Sequence, residues 1–305
     1  MLPVWAKHII RISIGLVFIA SALLKFLSID TFEIYVFQQQ ILPFPLAAIF
    51  SRLLIATEVC IGLLLIIQFA YSRLWKITVG LLILFSLFLL WKIFQGNASE
   101  NCHCFGELLP VNSTVSLIKN AVLLLLLWSI RKPPPFHLKQ EKNIALFLSV
   151  FTFTLIFILS PPDFMLDWSK IPVNDPKKVS ERIAEDSTLV QYKATDGKKL
   201  ICLYSVTCMY CQHAAGKISG IVQRHDLQDD VLYVFTGDEN DLDTFLEKSG
   251  SELFTYTFIP HSHFFSIAGP SVPAIYLVDN GIVQKQYNYR NINEAEIVRF
   301  LRGNG

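Results

Sequence analysis

The chain has 305 residues, 52% of them hydrophobic and 17% charged, with a formal net charge of +1. Soluble domains carry about a quarter charged residues, so a single soluble domain, a disordered chain and a basic nucleic-acid binder are excluded. The charge is also uneven: residues 1–160 hold 12 Lys/Arg against 6 Asp/Glu, and residues 161–305 hold 14 against 19. The first part has the composition of membrane segments and the second that of a globular domain.

A membrane-crossing helix needs about 20 apolar residues. Five stretches meet or approach this, at about residues 12–26, 46–69, 75–93, 115–130 and 144–159. The first also fits a signal peptide, because Lys7 and Arg11 precede an apolar run ending near Ala20-Ser21-Ala22. Further apolar stretches and the Lys25-Phe26 exit favour a retained helix. With the N-terminus cytoplasmic, the inner pieces carry Lys7, Arg11, Arg73, Lys76, Arg131, Lys132, Lys139 and Lys142. Residues 28–45 and 95–113 carry no Lys or Arg, the asymmetry that the positive-inside rule describes. Five crossings place everything after Pro161 outside. The expectation is an integral protein of the bacterial inner membrane with a periplasmic C-terminal domain.

Pro161-Pro162 ends the fifth helix, since proline blocks its continuation. Residues 163–188 are polar and read as a tether, which as a flexible coil spans about 30 Å. The globular pattern starts near Leu189. Residues 199–206 read as a strand, 208–224 as a helix, Val231–Thr236 as a short buried strand, and 239–248 as a charged helix opened by Asp238. Residues 274–278 and 282–287 flank Asn280-Gly281, a strong hairpin signal. Residues 293–301 close the chain as a helix. The expected domains are a four-helix membrane domain (1–133), a fifth helix with its flanks (134–162), the tether (163–188) and an α/β domain with a mixed sheet (189–305).

Six cysteines carry the chemistry: Cys60, Cys102, Cys104, Cys202, Cys208 and Cys211. Cys208-Met209-Tyr210-Cys211 follows a strand and opens a helix, whose N-terminus stabilises a thiolate. The second cysteine, one turn on, can resolve a mixed disulfide. A structural disulfide or half a zinc site is the alternative, but a four-cysteine zinc site needs a second close pair in this domain. Over about residues 189–301 the sequence resembles the thioredoxin superfamily, through the strand, the Cys-x-x-Cys helix, and Ala268-Gly269-Pro270-Ser271-Val272-Pro273-Ala274 before the hairpin. That resemblance implies that Pro273 is cis and lies against the cysteine pair. It also implies that Val272 offers backbone hydrogen bonds to an extended substrate. Thr207 and the Met-Tyr dipeptide depart from thioredoxin itself.

Asn101-Cys102-His103-Cys104-Phe105-Gly106 forms a second pair in an outer loop. Cysteines one residue apart close only a small, strained ring, and strained exposed disulfides are the labile kind. Over about residues 8–130 the chain resembles the MauE proteins of methylamine utilisation and the related DoxX-like membrane proteins. The matching features are Arg11, Gly15, Phe18 and Lys25-Phe26 in the first helix, Glu58 and Gly62 in the second, and the Cys-x-Cys-Phe-Gly loop before the fourth. MauE-like proteins usually have glycine where His103 stands, a departure that reads as a solvated loop histidine or a proton relay. The resemblance implies a role in disulfide formation in a periplasmic partner.

Glu58, Lys25 and Lys119 lie within the apolar stretches, where charge is expensive and normally paired. They form either an ion pair that fixes the bundle or a polar pocket for a quinone head-group. Cys60 and Cys202 read as packed thiols. His261 and His263 are weak copper or zinc candidates. The arrangement of parts resembles vitamin K epoxide reductase homologues, which implies electrons passing from substrate thiols to the thioredoxin-like pair, to a loop pair and on to quinone. It departs in lacking a second cysteine pair within the helices. The expected function is a membrane thiol–disulfide oxidoreductase that relays electrons between Cys208/Cys211 and Cys102/Cys104, with periplasmic protein thiols or disulfides as partners. The alternatives are an outward-directed reductant and a non-catalytic assembly or metal-handling factor.

Overall fold

The computed structural model describes residues 3–69, 71–96, 101–107, 109–131, 141–166 and 174–303. Lys132, Lys139 and the side chain of Lys142, which enter the orientation argument, lie outside the described residues, as do residues 167–173 of the expected tether. The chain divides into two compact units. One comprises Met1–Tyr35 and Ala48–Pro161, the other Val36–Ala47 and Pro162–Gly305.

The helices of the N-terminal half are α1 (Val4–Leu27), α2 (Ile29–Gln38), α3 (Phe44–Ile67), α4 (Tyr71–Phe94), α5 (Ser113–Ser129) and α6 (Glu141–Leu159). Three of them, α1, α3 and α4, are each 24 residues long and apolar enough to cross a bilayer. At 1.5 Å per residue each rises about 36 Å, beyond the roughly 30 Å hydrocarbon core. Of the five expected crossings, the last two are apolar helices of shorter length, Ser113–Ser129 and Asn143–Leu159. Helix α2 occupies a stretch that reads as a plain outer connection, because its ten residues mix apolar and polar side chains without a long apolar run.

Within the first unit, α1 and α3 touch backbone to backbone. A Cβ on Gly62 would lie 2.6 Å from the Gly15 carbonyl oxygen, and one on Gly15 would lie 2.8 Å from that of Gly62. Small residues at such a crossing let membrane helices approach closely. Ile14 and Phe18 of α1, Ile61 and Leu65 of α3, Leu74 and Leu82 of α4, and Leu123 and Leu127 of α5 share one core. Arg52 of α3 is buried and pairs with Glu33 at 2.7 Å. Its Nε donates to the Ser160 carbonyl at 2.7 Å and its Nη2 to that of Pro161 at 3.3 Å. A buried guanidinium thus satisfies carbonyls that the end of α6 leaves open.

The second unit is an α/β fold with a five-stranded mixed sheet. Its strands are β1 (Lys198–Ser205), β2 (Val231–Thr236), β3 (Tyr256–Phe258), β4 (Ala274–Asp279) and β5 (Ile282–Tyr287). Their order is β3-β2-β1-β4-β5, with β1 parallel to β2, β2 parallel to β3, and β4 antiparallel to both β1 and β5. The helices are α7 (Pro176–Glu185), α8 (Ser187–Gln191), α9 (Met209–His225), α10 (Leu242–Ser249), α11 (His261–Ala268) and α12 (Glu294–Leu301). Alternate residues of the central strands feed two cores. Leu200, Cys202 and Tyr204 of β1 face α9, α10 and α12, while Ile201 and Leu203 face α7, α8 and α11. Asn280 and Gly281 both have positive φ, 49° and 79°, as a two-residue hairpin turn of the primed type requires.

The expected tether is, in its described part, folded structure. Val179 and Ile183 of α7 are buried in the core beneath β4 and β5. Ser180 Oγ accepts the Val283 backbone N–H at 2.9 Å, and Asp186 caps α8 through the amides of Thr188 and Leu189. Asp163 is buried, with Lys217 Nζ at 3.0 Å on one carboxylate oxygen and Arg290 Nη1 at 2.7 Å on the other. The segment reads as polar because only two residues of α7 are buried and its acid is matched by distant cations.

Gly62→Val should force α1 away from α3 at a cost of about 1–3 kcal/mol, as overpacking does. Thermal unfolding in detergent measures it. Gly80→Ala in α4, where an added Cβ meets nothing within 4 Å, should leave the midpoint unchanged or raise it.

Candidate functional site

Strand β1 runs into a tight turn, in which the Cys208 backbone N–H donates to the Ser205 carbonyl at 3.0 Å. Cys208 is the N-cap of α9, and its sulfur accepts the Cys211 backbone N–H at 3.2 Å. Apolar residues behind it (Ala214, Ala215, Ile218, Ile221 and Val222) seat the helix on the sheet. This leaves Cys208 partly exposed and Cys211 fully buried. The hydrogen bond from the Cys211 thiol, aided by the backbone amides of Cys211 and Tyr210, draws Cys208 down to about 7 against the effect of burial. Burial and the same bond push Cys211 far above the usual thiol range.

The Val272–Pro273 peptide bond is cis. Ala274, the next residue, opens β4 and pairs with Leu203, near the end of β1 from which the cysteine turn emerges. Val272 and Cys208 both pack against the core cluster that contains Cys211 and Tyr204. Beside the pair, Met209 is 55% and Tyr210 48% exposed, and the Tyr210 ring stacks on Tyr289 with centroids 5.0 Å apart.

The second pair lies in the first unit. The Cys102 backbone N–H donates to the Val111 carbonyl at 3.0 Å, closing the loop from its far side. The Cys102 sulfur lies 2.9 Å from Ser116 Oγ and accepts the Cys104 backbone N–H at 3.3 Å. Cys102 is buried and Cys104 less so. The Cys104 thiol, with Ser116, the Cys104 amide and the positive charge of Lys119, draws Cys102 down to about 6 despite burial. The same bond to Cys102, reinforced by burial, raises Cys104 well above the usual range.

His103 sits between the two sulfurs at φ +50°, a left-handed conformation that glycine adopts more readily. Its ring lies 4.6 Å from that of Tyr35. Burial lowers it to about 4, only partly offset by Glu107, so the imidazole is neutral at pH 7 and is not a solvated loop histidine. Gly106, at φ +69°, lies so close to Leu24 and Ser28 of the first helix region that a Cβ would overlap both.

Beneath the loop, Ser21 Oγ donates to the Cys104 carbonyl at 2.9 Å. Lys25 Nζ donates to Ser21 Oγ at 2.9 Å and to both oxygens of Glu58, at 2.7 and 2.6 Å. Lys25 and Glu58 are therefore an ion pair, both buried. The Lys119 ammonium lies over the Phe105 ring at 4.5 Å. Ser21, which joins the ion pair to the loop, and Ser116, which joins Cys102 to α5, carry no sequence signal of their own.

The remaining candidates separate. Cys202 is fully buried in β1, and Cys60 is buried with its sulfur 3.2 Å from Ser149 Oγ. His261 lies 3.5 Å from Thr236 Oγ1, and His263 lies 3.3 Å from Asp186. Among the described residues no group of three or more metal-capable side chains converges.

Residues 3–130 match the methylamine utilisation protein MauE. The MauE match covers α1 to α5 and includes Cys102 and Cys104. A relative named "Protein TlpB" from Flavobacterium psychrophilum is 25% identical over 345 aligned residues, covering 93% of this chain and 91% of that protein. No solved structure gives a significant match. The chain is thus a membrane protein whose residues 3–130 are similar to MauE and whose C-terminal unit is an α/β fold of thioredoxin-like type.

Alkylation of Cys208 should follow a single ionisation near pH 7, with reactivity lost as pH falls below it. Cys211→Ala removes the thiol donor and should move the midpoint up toward the ordinary thiol value of about 8.5. Rates of iodoacetamide modification followed by mass spectrometry read both. Lys25→Met leaves Glu58 buried without its cation and should cost about 3–5 kcal/mol in thermal stability. Lys25→Met with Glu58→Met should recover most of it.

Proposed function

We propose that the chain is a thiol–disulfide oxidoreductase of the bacterial inner membrane, its N-terminus cytoplasmic and its C-terminal unit periplasmic. It exchanges electrons between periplasmic protein thiols, Cys208/Cys211 and Cys102/Cys104, supporting disulfide formation in a partner. The observation that carries this reading is the opposite asymmetry of the two pairs. Cys208 is the accessible sulfur and also the easily ionised one, which suits an attacking thiolate. Cys104 is the more exposed residue of its pair, while Cys102 is buried and easily ionised, which suits a leaving group.

A client thiolate attacks the Cys208 sulfur of the Cys208–Cys211 disulfide, breaking the S–S bond, and Cys211 departs and takes a proton. The client's second thiol displaces Cys208, so that two electrons and two protons have passed from client to pair. The Cys208 thiolate then attacks Cys104 of the Cys102–Cys104 disulfide, Cys102 leaves as the stabilised thiolate, and Cys211 resolves the mixed disulfide. Val272 offers its backbone to an extended client segment beside cis-Pro273. Outward reduction runs the same steps in reverse. A Cys208/Cys211 potential near about −120 mV favours oxidation of clients and one near about −270 mV favours their reduction.

The acceptor proposed for the electrons of Cys102/Cys104 is a quinone, which when bound takes up two electrons and two protons. Lys25 and Glu58 do not fit as its ligands, because the ammonium is committed to Glu58 and Ser21. Lys119, beside Phe105 in the same loop, is the residue whose charge fits a reduced oxygen.

The test is trapping. In the full-length chain treated with a mild two-electron thiol oxidant such as copper phenanthroline, Cys211→Ser with Cys102→Ser should accumulate a Cys208–Cys104 disulfide that reductant releases, identified by mass spectrometry. Cys211→Ser with Cys104→Ser should not accumulate its counterpart. Capture of Cys208 only by other proteins would sink the relay.

A further inference from the structure

The helix that carries Cys208 and Cys211 is covered at the rear by a piece of the N-terminal half. Residues Val36–Ala47 belong to the same compact unit as the α/β fold, although more than a hundred residues separate them from it in sequence. Phe37 and Ala47 are both fully buried and are members of the core that holds Cys211, Tyr204 and Phe245. Phe37 lies against Gly220 so closely that a Cβ there would overlap its ring. Gly220 is in regular helix and needs no special backbone, so this glycine makes room.

Backbone polar groups reinforce the fit. Gln38 Nε2 donates to the Ser249 carbonyl at 3.0 Å and to that of Gly216 at 3.4 Å. Gln40 Nε2 donates to the Gly220 carbonyl at 3.0 Å, while Arg224 Nε donates to Gln40 Oε1 at 3.1 Å. Arg224 also donates to the Leu42 carbonyl and lies over the Phe37 ring at 4.9 Å. Phe44 adds an edge-on contact to Phe37 at 5.4 Å and sits 4.5 Å from Lys217 Nζ. A second contribution comes from Asp163, which neutralises Lys217 and Arg290. A core aromatic, two amides aimed at helix carbonyls, and a buried ion cluster together make a specific interface rather than an incidental contact.

We infer that Val36–Ala47 is an obligatory part of the thioredoxin-like unit, bound in a groove formed by α9 and the end of α10. It is held tightly enough to retain the C-terminal portion when the covalent link after Leu166 is cut. The unit is then not a module on a leash: its cysteine helix is completed by residues that lie between the first two long apolar helices. This holds whichever way electrons flow and stands apart from the proposed relay.

The experiment uses the full chain in detergent with an N-terminal affinity tag and a protease recognition sequence, on a Gly/Ser spacer, inserted between Leu166 and Asn174. After complete cutting, the 174–305 fragment should stay on the resin with the N-terminal fragment. Gly220→Leu, which fills the Phe37 site, and Phe37→Ala with Gln40→Ala should each release at least tenfold more of it. Cys202, fully buried in β1, serves as the folding check, because it stays unreactive to a thiol reagent while the unit is folded. Release of the wild-type fragment in folded form, or equal retention by Gly220→Leu, would overturn the inference. Where Gly220→Leu exposes Cys202, the milder Phe37/Gln40 variant decides by the same criterion.

Discussion

One interaction recurs at both cysteine pairs: the backbone N–H of the second cysteine points at the sulfur of the first. At Cys208 the donor is three residues on, at 3.2 Å, and at Cys102 it is two residues on, at 3.3 Å. A thiolate that is partly out of water needs donors to replace those of the solvent. An amide supplied by the pair itself cannot be lost while the loop keeps its shape. The partner cysteine's thiol, aided by this amide, therefore decides which sulfur ionises, and the surrounding fold decides which cysteine is exposed. The two loops combine these differently: the easily ionised cysteine is the partly exposed one at Cys208 and the buried one at Cys102.

The loop that supports the second pair is built on close backbone approach. Gly106 fits against Leu24 and Ser28 because it lacks a Cβ, and Ser28 Oγ accepts the next amide, that of Glu107, at 3.1 Å. His103 then takes a left-handed conformation at the turn between the cysteines. A glycine would adopt this conformation without strain. A histidine there accepts a modest conformational cost and adds a ring packed on Tyr35. Below, Ser21 links the loop carbonyl to the Lys25–Glu58 pair, so the intramembrane charges brace the loop from inside the bundle.

Much of this was legible in sequence, and the reasons are local. Strands β2 and β5 are bounded by turn residues and coincide with the expected segments. Asp238, read as opening a charged helix, caps a short 3-10 turn ahead of α10 through the Asn240 amide, and Asn293, read as the first residue of the last helix, is its cap through the Glu296 amide. Cysteine spacing revealed both pairs. What escaped was non-local. Helix α7 buries only Val179 and Ile183 and looks polar, β3 is three residues long, and α11 is a short helix hidden in an aromatic stretch. Ser116 and Ser21 are ordinary until the fold brings them to Cys102 and to the Cys104 carbonyl.

The segment Val36–Ala47 shows the same limit in its sharpest form. Its run of apolar residues, glutamines and prolines reads as a loop between apolar helices, because nothing nearby needs it. Its partners are the Gly216–Gly220 face of α9 and the carbonyl of Ser249, 178 to 211 positions away. A glycine four residues after another in a helix ordinarily suggests weak helix propensity. Here it marks the place where Phe37 enters. Because that helix begins at Cys208, the packing at its rear and the chemistry at its front belong to one rigid element. Phe37 therefore packs on the same helix that carries Cys208 at its N-cap.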